Sequence, residues 1–87
     1  MGSIENRKLI YAYDDAKRIV EICEIDGYRF RINVHRLGNS ISVWNRMNTD
    51  WGFVHALDGD LSMFTLMDIR DHLLRIAMDV VGVGRNE

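Results

Sequence analysis

The amino-acid sequence predicts an α+β fold: an antiparallel, four- to five-stranded β-meander followed by one C-terminal helix packed on one face of the sheet. Three observations predict it. Asp26-Gly27 sits between two apolar-rich runs, the strongest short hairpin signal a sequence carries. No proline occurs in the 87 residues, so every strand residue keeps its ladder donor. Towards the C-terminus the pattern changes from alternation to apolar residues three and four apart, the helical period.

A first strand is expected from Lys8 to about Tyr13, returning through Asp14-Asp15-Ala16-Lys17 into a second that starts at Arg18. The Asp26-Gly27 turn needs positive φ at both central residues, which Asp and Gly tolerate. It sets Ile25 opposite Tyr28, Cys23 opposite Phe30, Glu21 opposite Ile32 and Ile19 opposite Val34. Glu24 then meets Arg29 as a cross-strand charge pair. A helix over the same stretch is the rival, because Ala16, Ile19, Val20 and Cys23 share a helical face and Asp14 is placed to cap it. That helix leaves Ile22 and Ile25 off its apolar face and isolates the Asp-Gly turn, so the strand is preferred.

Gly38-Asn39 suggests a second tight turn, with Val34 opposite Val43, His35 opposite Ser42 and Asn33 opposite Trp44. Met47-Asn48-Thr49-Asp50 reads as a four-residue loop that puts Val54 beside Val43, Phe53 beside Trp44 and Trp51 beside Arg46. Asp58-Gly59-Asp60 closes the sheet region, which spans about residues 8–57. A helix follows over about 62–81. Thr65 and Asp68 have capping-box spacing, and Gly82 is placed to terminate the helix. Leu66, Ile69, Leu73, Ile76 and Val80 form its apolar stripe. Asp68, Asp71, His72, Arg75 and Asp79 form its wet face. Met67, Leu74, Met78 and Val81 widen the stripe; this flank is a candidate oligomer interface, or else packs against loops and the N-terminal segment.

Side chains alternate between the faces of a strand. One face collects Ile10, Ala12, Ile19, Cys23, Ile25, Tyr28, Phe30, Ile32, Val34, Ile41, Val43, Val54 and Ala56, the expected core. Glu21 is the misfit there, with Arg70 as its candidate partner and a place at the rim as the alternative. The other face collects both tryptophans, two tyrosines and four arginines (Arg18, Arg29, Arg31, Arg46) against one acid, Glu24. Leu9, Val20, Ile22, Asn33, His35, Phe53 and His55 complete it. One helix cannot cover two faces, and an aromatic patch of this extent exceeds what monomers usually expose. Tyr, Trp and Arg are also the residue types of binding hot spots. Tyr11, Tyr13, Arg29, Arg31, His35, Trp44, Arg46, Trp51 and Phe53 are therefore the candidate partner-binding residues. The assignment depends on parity: a loop at Met47–Asp50 one residue different would move Trp51 and Phe53 to the core side.

Eighty-seven residues form one domain, 1–87. Its 47% hydrophobic and 28% charged content suits a globule and not a disordered tail. A net charge of −2 makes neither a polyanion binder nor a DNA mimic. So small a core favours oligomerisation, because the single cysteine, Cys23, allows no internal disulfide. No apolar run follows Met1-Gly2-Ser3, and no stretch approaches ~18 uninterrupted apolar residues, so neither a signal peptide nor a membrane span is expected. The lone thiol suggests the cytoplasm.

Catalytic and metal motifs are weak. His35, Ser42 and His55 would form a row across three strands, but no orienting acid or third ligand accompanies them. Asp58-x-Asp60-x-Ser62 begins like a calcium loop, yet Met63 stands where glycine is needed and Ile69 where glutamate is needed. No cofactor, metal or catalytic residue is expected. The expected function is a non-enzymatic protein–protein interaction module binding itself or a larger host complex. Single-stranded nucleic acid or a nucleotide on the Arg/aromatic face is the alternative. In size and make-up the chain loosely resembles accessory proteins of phages and mobile elements that bind and block a host complex; no motif carries that resemblance.

Overall fold

The structure, a computed structural model, describes residues 7–57 and 61–82. Five strands, β1 (Lys8–Asp14), β2 (Arg18–Ile25), β3 (Tyr28–His35), β4 (Ser40–Asn45) and β5 (Asp50–His55), precede one helix, α1 (Leu66–Val81). The strands pair in sequence order as a single antiparallel meander. This is the α+β fold the sequence predicts. The calcium-like Asp58-x-Asp60 segment lies outside the described residues.

The β2–β3 hairpin has the expected register, from Ile25 opposite Tyr28 to Ile19 opposite Val34. Asp26 and Gly27 adopt φ of 50° and 85°, the two positive values of a turn whose twist matches that of the strands. Alternation then buries Ile19, Cys23 and Ile25 of β2 with Phe30, Ile32 and Val34 of β3.

The β3–β4 turn departs from expectation. Asn33 opposes Ser40 and Phe30 opposes Val43, four positions from the register expected for a Gly38-Asn39 turn. The hydrogen bond closing the turn runs from the Gly38 N–H to the His35 carbonyl, so Arg36 and Leu37 are its central residues. Polar anchoring explains the difference. Asn39 is buried and its Oδ1 accepts from the Leu57 N–H at 2.8 Å. Arg36 Nη1 donates to the carbonyls of Leu61 and Phe64 at 3.0 and 2.8 Å. These long-range bonds outweigh the local preference of Gly-Asn. The shift is even, so no side chain changes face.

The β4–β5 loop is four residues long but spans Arg46–Thr49, with Asn45 opposite Asp50 and Trp44 opposite Trp51. Again the shift is even, and Trp51 and Phe53 stay on the expected face. Two bulges alter parity elsewhere. Val54 is the extra residue between the Ser42–Phe53 and Ile41–His55 pairs, so His55 turns towards the helix side. Leu57, instead of Ala56, packs on the core. Ile10 is the extra residue in β1, and Leu9 opposes Cys23 on the helix side instead of the outer face.

Helix α1 starts at Thr65 with a complete capping box. Thr65 Oγ1 accepts from the Asp68 N–H at 3.1 Å, and Asp68 Oδ2 accepts from the Thr65 N–H at 3.3 Å. Gly82 ends it at φ 79°. The helix packs chiefly on β2–β5. Its buried residues are Ile69, Arg70, Leu73, Leu74, Ala77 and Met78. The core stripe is thus rotated from the expected one. Val80 is exposed, while Leu74 and Met78, expected on an interface flank, belong to the core. Of that flank Met67 is exposed and Val81 packs partly against the core, so the four residues form no shared open edge. Glu21 pairs with Arg70 beneath the helix, the first of the two places the sequence leaves open for it. Among the described residues, no helix is long and apolar enough to cross a membrane.

Candidate protein interface

The face of the sheet turned away from α1 is built by alternation. Tyr11 and Tyr13 of β1 oppose Ile22 and Val20 of β2. Arg31 of β3 opposes Ser42 of β4, which opposes Phe53 of β5. Trp44 and Trp51 are the next pair along. No described element covers this face. Val20 and Ile22 are half-buried at its floor. Phe53, Tyr11 and Tyr13 stand 69%, 52% and 44% exposed.

Two clusters form on it. In the first, the Trp44 and Trp51 rings meet edge-on with centroids 5.3 Å apart. The Arg31 guanidinium lies 4.8 Å from the Trp51 centroid. Ser42, small and buried between Arg31 and Phe53, leaves room for Arg31 to reach β5. The stack fixes a cation against a ring face without neutralising it. In the second, the Arg18 guanidinium lies 5.4 Å from the Tyr13 centroid. The Tyr13 hydroxyl donates to Asp15 Oδ2 at 3.0 Å. Asp15 also accepts from the Lys17 and Arg18 N–H groups. The Lys17 N–H first, then the Tyr13 hydroxyl, hold its carboxyl below the usual value.

The remaining candidates are placed differently. Arg29 pairs with Glu24 at 3.6 Å, the expected cross-strand pair. Arg46 leaves β4 and its Nη2 donates to the Gly27 carbonyl at 2.7 Å, joining two turns at one end of the sheet. His35 sits at the opposite end, where its Nδ1 accepts from the Leu37 N–H at 3.1 Å. Arg31, Trp44, Trp51 and Phe53 are therefore brought together, Tyr11 and Tyr13 flank them across β2, and His35 and Arg46 are turn anchors.

The row of His35, Ser42 and His55 does not form. Ser42 opposes Arg31, and the bulge carries His55 opposite Ile41. Among the described residues, no three His, Cys, Asp or Glu side chains gather as metal ligands. Cys23 is fully buried. Burial, and then the charge of Glu21, push its thiol up to about 12. One feature escaped the sequence: a half-open groove of about 580 Å³ floored by Leu57, Leu61, Phe64 and Ile69 and rimmed by His72 and Arg75. The long-range Arg36 bonds to Leu61 and Phe64 hold two of its lining residues, and no local pattern announces them.

The architecture is that of a five-stranded antiparallel meander with a helix on one face and an open aromatic–arginine face on the other. Compared with models of protein families, with curated proteins and with solved structures, the chain gives no match.

Proposed function

We propose that this protein is a small, non-enzymatic protein-interaction module whose uncovered sheet face docks a protein partner. The single observation that carries this reading is the Arg31–Trp51–Trp44 cluster beside exposed Phe53, on the face no described element covers. Trp, Arg and large aromatic side chains held rigid at the centre of a patch are what interface anchors require. Arg18, Arg29 and Arg31, against Glu24 and the Asp15 that holds Tyr13, leave the face cationic in a chain of net charge −2. A partner with acidic groups around an apolar centre complements it.

That charge also ranks the partners. A second copy docking face to face would oppose arginines to arginines, so a foreign protein, such as a subunit of a larger complex, fits better. Single-stranded nucleic acid meets the charge and could stack on exposed Phe53 and Tyr11, but the two tryptophans at the centre of the patch suit it less. Trp44 and Trp51 use their rings on each other and on Arg31, and bases need open ring faces.

The test compares the wild-type chain with Arg31→Glu and Phe53→Ala, both exposed and both expected to fold. A protein captured from cell extract, purified and titrated back should bind wild type and lose at least about tenfold affinity to each variant, or about 1.4 kcal/mol. Equal binding to all three overturns the reading. Saturable, salt-sensitive binding of random single-stranded DNA, lost in Arg31→Glu, would replace it with the nucleic-acid reading. A mass that doubles with concentration in wild type but not in Phe53→Ala would make the partner a second copy.

A further inference from the structure

Strand β1 is an edge of the sheet, and all seven of its residues are exposed. Among the described residues nothing pairs with its outward backbone groups, a ladder which a sixth strand can join. The other edge, β5, is mostly half-buried and bulged at Val54. What β1 offers differs on its two sides. On the outer side stand Lys8, opposite Glu24, then Tyr11 and Tyr13, with the Arg18 guanidinium over the Tyr13 ring. A cation therefore lies at each end of a pair of tyrosines. On the helix side Leu9 opposes Cys23, Ala12 opposes Glu21 and Asp14 opposes Ile19, so that side of the edge is apolar and small until the acid at its last position.

We infer that β1 is a β-augmentation site for an extended peptide segment whose alternate residues are acidic and apolar, the acids meeting Lys8 and Arg18 and the apolar residues meeting Leu9 and Ala12. Strand alternation makes one sequence satisfy both sides at once. Backbone pairing supplies affinity, and the flanking cations select against basic strands. A second copy of β1 is the wrong occupant. Pairing β1 with itself sets tyrosines against tyrosines and adds two lysines and no acid on the outer side. The bulge at Ile10 and the charge of Lys8 are features that keep an edge from pairing indiscriminately. This site is separate from the Arg31–Trp51 cluster, and its fate does not depend on the docking role proposed for that cluster.

The test is an NMR titration of the whole protein with a short synthetic peptide alternating glutamate with valine, and with its lysine–valine counterpart. The glutamate peptide should shift the amides of residues 8–14 and slow their hydrogen exchange. Lys8→Glu and Arg18→Glu should each weaken it about tenfold, and Arg31→Glu should leave it unchanged. Shifts elsewhere than β1, equal binding of the lysine peptide, or no binding would each overturn the inference. So would protection of residues 8–14 by concentrated protein alone, which would make the occupant a second copy. If Arg31→Glu abolishes peptide binding together with partner binding, the two surfaces are one and the separate site is lost.

Discussion

Arg31 of β3 reaches across β4 to stack on Trp51 of β5, with its guanidinium carbon 4.8 Å from the ring centre. The contact spans three strands and is partly exposed, which limits its worth to about 0.5–1 kcal/mol. Arg31→Ala should lower stability by no more than that in urea unfolding. It should also alter the tryptophan emission, because a cation leaves the ring. A large stability loss would mean that Arg31 is structural and would weaken its role as an anchor.

Phe30 and Phe53 test the assignment of faces. Phe30 is fully buried against the helix side, whereas Phe53 is 69% exposed on the outer face. Phe30→Ala should cost about 3–5 kcal/mol through lost burial and a cavity. Phe53→Ala should stay within about 0.5 kcal/mol of wild type. Similar losses from the two would show that the outer face is packed and not open.

Strand parity was legible in the sequence wherever a turn announced its own type. Asp26-Gly27 fixed all of β2–β3, and alternation carried that parity into β4. Register was less legible. Gly38-Asn39 resembles a turn, yet Asn39 is used to hold Leu57 and Arg36 to hold Leu61 and Phe64, bonds to residues 18 to 28 positions away that no window contains. The faces survived because both errors were even numbers of residues. The bulges at Ile10 and Val54 have no turn residue to mark them, so alternation alone puts Leu9 and His55 on the wrong side. In the helix, Leu66, Ile69, Leu73, Ile76 and Val80 were an equally good stripe by spacing. The buried Arg70 rotated the helix towards Glu21 and brought Leu74 and Met78 inward. The aromatic–arginine face followed from parity alone. The Arg31–Trp51 stack within it did not, because it crosses an intervening strand.

Gly27 gives a backbone test of the hairpin. It adopts φ 85°, and a Cβ there would meet nothing within 4 Å. Gly27→Ala therefore isolates the conformational cost of a left-handed residue, about 1–2 kcal/mol. Unfolding midpoints for Gly27→Ala and Gly38→Ala should differ by that amount. Gly38 also has open space around its Cβ position but no positive φ.

Cys23 should behave as a buried hydrophobe. Its thiol is raised from 9.0 to about 12 by burial and by the charge of Glu21. A raised thiol value favours the neutral folded form. The resulting stability is complete below pH 9.0 and falls as pH rises towards about 12. In mildly alkaline buffer a thiol reagent should label Cys23 only as fast as the protein unfolds. Rapid labelling of the native protein would contradict the packing of β2 against α1.

Glu21 and Arg70 decide how the buried charges are held. Glu21 is 3% exposed and Arg70 is 7% exposed. Arg70 Nη1 lies 3.3 Å from Glu21 Oε1, and Arg7 Nε lies 3.2 Å from Oε2 as an ion pair without hydrogen-bond geometry. Arg70 also grips Asp71 Oδ1 through Nε and Nη2 at 2.9 and 2.7 Å. Breaking a buried pair from one side leaves an uncompensated charge, at a cost of about 3–5 kcal/mol. The two sides are not equal here. Arg70→Ala leaves Glu21 buried with only the poorly aligned Arg7, whereas Glu21→Ala leaves Arg70 its two bonds to Asp71. Arg70→Ala should therefore be the more destabilising, and Glu21→Ala should fall at or below the low end of that range. Replacing both with apolar residues of similar volume, Glu21→Leu with Arg70→Met, should recover most of the loss, because no charge is then stranded. A double variant as unstable as Arg70→Ala would show that the pair contributes net stability beyond cancelling its own burial cost.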